Sequence, residues 1–230
     1  MSKADNNILG LEHGKIGDRI AVVLDGKQVY KKLYRPTNPR TPQQQKHRAK
    51  LAFVNRLSKE LAEAVNIGFA KVPQRGSGQT ARNAFVHENF HNGALVWDEE
   101  SGEWSFRPDL LCLAQGPRYV GQGIAAEVHD GRLHIACPDT GTNNTHGVTD
   151  DQLMVAIYRP FVPALHLLNG PLREACSECI VELPETEGEE DVMLVYLWFQ
   201  ATKYHRSGGG KITVRPGQAS KSVFLGAFSK

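Results

Sequence analysis

Apolar residues recur along this 230-residue chain with two different periods, and the change falls near Asn92-Gly93. From Gln43 to Ala70 a step of about 100° per residue gathers Phe53, Val54, Leu57, Leu61, Ala64 and Val65 on one face. Arg48, Asn55, Arg56, Lys59 and Glu63 fall on the other. Thr41 offers an N-cap oxygen, and Pro42 takes the first helical position, where a missing N–H costs nothing. A long amphipathic helix is therefore predicted. Ala81 to His91 predicts a shorter helix, stopped by Asn92-Gly93. Between them Lys71 to Gln79, rich in Pro, Gly and Ser, reads as a loop.

Elsewhere the pattern is that of strands. Arg19 to Leu24 and Lys27 to Tyr34 flank Asp25-Gly26, a dipeptide suited to the positive φ angles of a type I′ turn. Gly10, Gly14 and Gly17 ahead of them suit turns or bulges. The long helix is expected to close its apolar face over this hairpin. Beyond Gly93, Ala94–Trp97 and Glu103–Phe106 flank a tight turn, and Ile124–His129 and Arg132–Cys137 flank a second Asp-Gly, Asp130-Gly131. Leu153–Arg159, Cys176–Leu183, Val192–Gln200 and Ser222–Phe228 are β-rich. The predicted fold class is α+β. An N-terminal β-hairpin with one long and one short helix (residues 1–93) precedes a mainly antiparallel, immunoglobulin-like β-sandwich (residues 94–230).

Composition narrows the class. Hydrophobic residues make up 40% and charged residues 23%, as in a globular chain. Apolar runs are short and broken by charge, so no membrane span is expected. Met1–Asn7 has no apolar signal core, which implies a cytoplasmic protein or one in a virion-like particle, with its four cysteines reduced. The net charge of +2 conceals a division: residues 1–92 carry 16 Lys/Arg against 7 Asp/Glu, and residues 93–230 carry 11 against 18. From Gly26 to Lys59 there are ten basic residues and no acid. Lys27, Lys31, Lys32, Arg35, Arg40, Arg48, Arg56 and Lys59 are the candidate interaction residues, facing either an acidic protein or a nucleic acid. Tyr30 and Tyr34 interleave with them, a mix that suits bases and phosphates. Lysines on an edge strand that discourage aggregation are the plainer alternative.

Three motifs suggest chemistry. His87-Glu88-Asn89-Phe90-His91 fits HExxH, whose helical spacing places two imidazoles and a water-activating glutamate at a zinc ion. The helix ends at once, however, and strands follow where a further ligand helix belongs. Cys176-Ser177-Glu178-Cys179 is a CxxC that leads into a strand rather than opening a helix, so buried thiols are expected over a redox or zinc site. Ser207–Lys211 lacks the leading glycine and the final Ser/Thr of a phosphate loop. No catalytic, cofactor or metal residue is assigned.

Gly14-Lys15-Ile16-Gly17, the basic hairpin, and Asn38-Pro39-Arg40-Thr41-Pro42-Gln43 running on to Arg48 resemble the N-terminal signature of an uncharacterised protein family of Bacteroides-type bacteria. The NPRTPxQ element also resembles small proteins of prophage-like regions. The resemblance implies an immunoglobulin- or fibronectin-like sandwich ending near Ser220–Gly226, and no activity. The expected function is a non-catalytic structural or interaction protein, a phage-like assembly component without cofactor. It would bind a protein partner or a second copy through its basic N-terminal face. Nucleic-acid binding by the same face comes second and a zinc hydrolase third.

Overall fold

The computed structural model describes residues 2–4, 12–24, 27–33, 40–69, 80–139, 149–185, 191–204 and 212–229. They fall into two units, Met1–Gln45 and Lys46–Lys230. In the first, strands β1 (Ser2–Ala4), β2 (Gly14–Ile16), β3 (Arg19–Leu24) and β4 (Lys27–Lys32) form an antiparallel sheet in the order β1-β4-β3-β2. Gly17, at φ 60°, makes the turn between β2 and β3, a conformation that needs no Cβ. The Asp25-Gly26 turn lies outside the described residues, but the strands beside it pair from Leu24 opposite Lys27, as a two-residue hairpin requires. Gln28 is buried and saturates its amide on the Glu12 backbone, accepting from the N–H at 2.8 Å and donating to the carbonyl at 2.9 Å. β1 pairs with β4 from Gln28 to Tyr30, a stretch that stops short of Lys27, Lys31 and Lys32, so this pairing does not displace the edge-strand reading of those lysines.

The remaining elements are helices α1 (Pro42–Glu60), α2 (Ala62–Gly68) and α3 (Ala81–His91) and strands β5 (Leu95–Asp98), β6 (Glu103–Phe106), β7 (Ala125–His129), β8 (Arg132–Ala136), β9 (Gln152–Arg159), β10 (Ala164–Leu172), β11 (Glu178–Glu182), β12 (Met193–Tyr204), β13 (Ile212–Ala219) and β14 (Val223–Phe228). Thr41 caps α1, accepting from the Gln44 N–H at 3.3 Å, and Thr80 caps α3, accepting from the Asn83 N–H at 3.2 Å. The single long helix expected to Ala70 is interrupted at Leu61, whose ψ of 18° departs from helical geometry. The i→i−4 bonds Leu61→Leu57 and Val65→Leu61 survive the break. The second Asp-Gly hairpin forms as its sequence dictates, with Asp130 at φ 52° and Gly131 at φ 70°.

The largest sheet runs β10-β9-β12-β13, with β14 also paired to β12, all antiparallel. Every residue of β9 is buried, as is β12 from Met193 to Ala201. Alternate side chains therefore feed two cores. Met154, Ala156, Tyr158, Leu194, Tyr196 and Trp198 point towards one that contains Val54, Leu57 and Leu61 of the first helical stretch and Phe85 of α3. Leu153, Val155, Ile157, Val195, Leu197 and Phe199 point towards another, closed by Leu133, Ile135 and Val181 of the sheet β11-β8-β7. The result is mixed α+β in three layers: helices with the β5–β6 hairpin, the large sheet, and the three-stranded sheet.

The buried face of α1, expected to close over the N-terminal hairpin, lies in the large sheet's core, where Val54 and Leu57 join Met154, Tyr158 and Trp198. All three helices share that core.

The helix layer is also held by polar bonds. Leu111 to Ala114 are buried without belonging to a strand, so their backbone groups need other partners. Asn89, fully buried, accepts from the Cys112 N–H at 2.8 Å and donates to its carbonyl at 2.9 Å. Ser222 accepts from the Leu113 N–H at 2.9 Å, and Gly68 accepts from the Gln115 N–H at 3.1 Å. Gly68 permits the approach: a Cβ there would sit 2.4 Å from the Leu113 carbonyl oxygen. Replacing Asn89 by Leu leaves two buried peptide groups unpaired and is expected to cost about 2–4 kcal/mol by urea unfolding. His87→Ala and His91→Ala, on the exposed side of the same helix, are expected to stay within about 0.5 kcal/mol of the parent.

Candidate interaction surface

The eight basic residues singled out in the sequence lie in both units. Lys27, Lys31 and Lys32 are exposed on β4, where strand alternation sends Lys27 and Lys31 to one face and Lys32 to the other. Arg40 is exposed, with φ 50°, just before the α1 cap. Arg35, with Tyr34, lies outside the described residues. Arg48, Arg56 and Lys59 are exposed on α1. Steps of about 100° put Arg48 and Lys59 within about 20° of one another and Arg56 about 60° further round, a basic strip along one side of the helix.

Beside that strip is a groove of about 370 Å³ between α1 and the β5–β6 hairpin. Ala49 and Ala52 are its small helical lining, and Phe53, Trp97 and Trp104 are its aromatic walls. Trp97 and Trp104 are directly opposed across the two-strand ladder, with ring centroids 5.4 Å apart and edge to face. Trp104 is fixed to α1 by donating its indole N–H to the Lys46 carbonyl at 3.1 Å. Lys46 Nζ sits 4.4 Å from the Trp97 ring centre and donates to Glu99 at 3.1 Å. That bond draws the Glu99 carboxyl below its ordinary pKa. Lys50 Nζ donates to the Phe90 carbonyl at 2.8 Å and lies 5.2 Å from the Trp104 ring centre. Arg56 stands over Phe53, its guanidinium carbon 5.2 Å from the ring centre, and pairs with Glu60 at 3.7 Å. The groove thus joins aromatic walls to arginine and lysine, with Glu103 as an acidic lining residue. Sequence reasoning counted Lys46 and Lys50 among the basic run but passed over Phe53, Trp97 and Trp104. The adjacent tryptophans were visible only as strand residues, because their meeting with α1 is a tertiary event.

His87 and His91 are exposed on α3 with ring centroids 5.2 Å apart, as the i, i+4 spacing demands. Glu88 accepts from Gln115 at 3.3 Å. No group of three or more His, Cys, Asp or Glu able to hold a metal occurs among the described residues. The four thiols are buried. Burial pushes Cys112 up to about 11 and Cys179 upward, whereas a hydrogen bond from Cys176 draws Cys137 downward. Ser207–Lys211, set aside as a phosphate loop on its sequence, lies outside the described residues. No helix among the described residues is long and apolar enough to cross a membrane.

Protein purified without chelator is expected to hold well under one zinc per chain by inductively coupled plasma mass spectrometry. Stoichiometric zinc that disappears in His91→Ala would instead establish a metal site on α3. Compared with protein-family models, curated proteins and solved structures, the chain finds no match in any of the three.

Proposed function

We propose that this protein is a non-catalytic interaction protein, a component of a phage-like assembly, that holds an acidic protein surface against the basic strip of α1. The observation that carries this reading is the groove of Phe53, Trp97 and Trp104 beside exposed Arg48, Arg56 and Lys59. Aromatic residues and arginine are the types enriched where protein interfaces bury most energy. The two facing antiparallel sheets around the second core support the companion reading of an immunoglobulin-like scaffold that presents this surface.

A neighbouring copy offers an acidic surface of the right kind. Glu127, Glu178 and Glu182 are exposed on the three-stranded sheet, at 75%, 63% and 84% side-chain accessibility, beside His129 at 3.1 Å, His134 at 3.4 Å and Arg132 at 3.6 Å. Head-to-tail contact of that sheet with α1 of the next copy joins opposite charges and generates rings or filaments. The groove itself mixes signs, with Glu99 neutralising Lys46 and Glu103 in the lining, which disfavours a polyphosphate and suits a protein.

Sedimentation velocity tests this. Association is expected to persist when salt rises from about 0.15 M to about 0.5 M, because the screened charges are backed by buried apolar area. Arg48→Glu, Arg56→Glu and Lys59→Glu together are expected to weaken it at least about tenfold. Reversing Glu127, Glu178 and Glu182 to Lys in a second preparation is expected to restore mixed association. A protein that stays monomeric, yet binds a single-stranded oligonucleotide in a salt-sensitive way lost in the triple variant, would make nucleic-acid binding the better account.

A further inference from the structure

Strand alternation decides which backbone groups of β11 the fold uses. The Cys137 N–H donates to the Ser177 carbonyl at 3.0 Å, one rung beyond Glu178 opposite Ala136. Bonded and non-bonded pairs alternate along an antiparallel ladder. Cys179 and Val181 are therefore the residues that bond to β8, and the N–H and C=O of Glu178, Ile180 and Glu182 point away from it. Among the described residues no strand pairs with that side of β11, which ends the order β11-β8-β7. A groove of about 500 Å³ lies between β11 and Leu168, Asn169, Gly170 and Pro171 of β10, and no residue of β8 lines it.

The two strands that border the groove differ. β10 carries Pro171 and a register shift between Asn169 and Leu172, devices that blunt a strand edge. β11 is regular from Glu178 to Glu182 and holds Ile180 out to solvent at 54% exposure. Glu178 and Glu182 flank Ile180 on the same face. Each carboxylate touches one β8 side chain, His134 or Arg132, and is otherwise exposed.

We propose that β11 is a docking edge for an extended peptide of another protein, which adds to the three-stranded sheet as a further antiparallel strand and carries basic residues on either side of an apolar one. Charge complementarity selects that occupant. The β11 of a second copy, laid antiparallel about Ile180, sets Glu178 against Glu182 at both ends, a like-charge pairing that disfavours it. Lysine or arginine two residues before and after the residue opposite Ile180 meets both carboxylates instead, from the side that His134 and Arg132 leave open. The intervening side chains turn to the face of Cys179 and Val181 and enter the groove beside Leu168. The sequence recognised is thus a basic residue, three residues of apolar character, and a second basic residue. Main-chain bonds supply the affinity and the glutamates supply the specificity. The inference does not rest on the reading of α1: a helix lying on this sheet would use the carboxylates, whereas only a strand uses the free N–H and C=O groups of β11.

The folded full-length protein is titrated with a seven-residue peptide, acetylated and amidated, that has lysine at its second and sixth positions and valine at its third to fifth. Amide NMR shifts and hydrogen exchange are followed. Saturable binding is expected, with the largest shifts in β11 and exchange at the Glu178, Ile180 and Glu182 amides slowed at least about tenfold. N-methylation of the central valine, which removes a ladder N–H, is expected to weaken binding at least about tenfold. Glu178→Lys with Glu182→Lys is expected to weaken it to a similar degree, and to admit the same peptide with glutamate in place of lysine. The absence of saturable binding, binding that N-methylation leaves unchanged, shifts without slowed exchange in β11, or slow exchange of those three amides already in the free protein would each overturn the proposal. If the double variant fails to fold by circular dichroism, the parent protein with the two peptides decides the matter.

Discussion

The burial of β9 and β12 on both faces is the constraint from which the rest of the larger unit follows. A strand with one wet face tolerates a polar residue at every second position, but these two strands present apolar side chains on both sides. Two separate covers are then required. The helices and the β5–β6 hairpin supply one, around Tyr158 and Trp198, and the three-stranded sheet supplies the other, around Leu153 and Phe199. Each large side chain left uncovered would forgo about 1.5–3 kcal/mol, so neither layer is dispensable.

Covering the sheet creates a second problem, because polar groups are buried with the apolar ones. Tyr158 solves it by donating to Glu60 at the end of α1, at 2.6 Å, and Tyr196 by donating to the Pro108 carbonyl at 3.0 Å. Desolvation raises the pKa of both phenols, which keeps them neutral donors. Arg159 and Asp191 are buried as an ion pair, Nε to Oδ2 at 2.9 Å. Such a pair contributes little net stability, yet losing either partner strands a charge in the core. The same logic makes Asn89 the structural residue of the HENFH segment: the histidines face outwards and the asparagine faces the peptide groups of Cys112.

The candidate surface follows from how α1 is used. One side of the helix is committed to the sheet, another holds Trp104 through the Lys46 carbonyl, and the remaining side carries Arg48 and Lys59 into solvent. Lysines 46 and 50 are turned inwards over aromatic rings, where their stems pack and their charges meet a carboxylate or a carbonyl. A basic sequence run is thereby divided by the fold: part of it braces the helix layer, and part remains available.

Local physics determined much of this protein from its sequence. The cap at Thr41, the stop at Asn92-Gly93, the Asp130-Gly131 turn and the strands β5 to β9 all follow from interactions within a few residues, and they form where the residue pattern puts them. The acid-free basic run is equally a property of the sequence. What lay beyond it depends on contacts between residues far apart in the chain. The strand β10 contains Asn169-Gly170-Pro171, an unpromising strand sequence, and forms because β9 offers it a ladder with a register shift there. The apolar stripe of α1, read from the sequence as closing over the hairpin, finds its partners only in the assembled core of the large sheet. The aromatic groove needs Trp97 and Trp104 brought to α1. Local spacing shows Cys176 and Cys179 as a CxxC, but that Cys179 stands opposite Ile135 of β8 depends on strand register, which is set only when the sheet assembles.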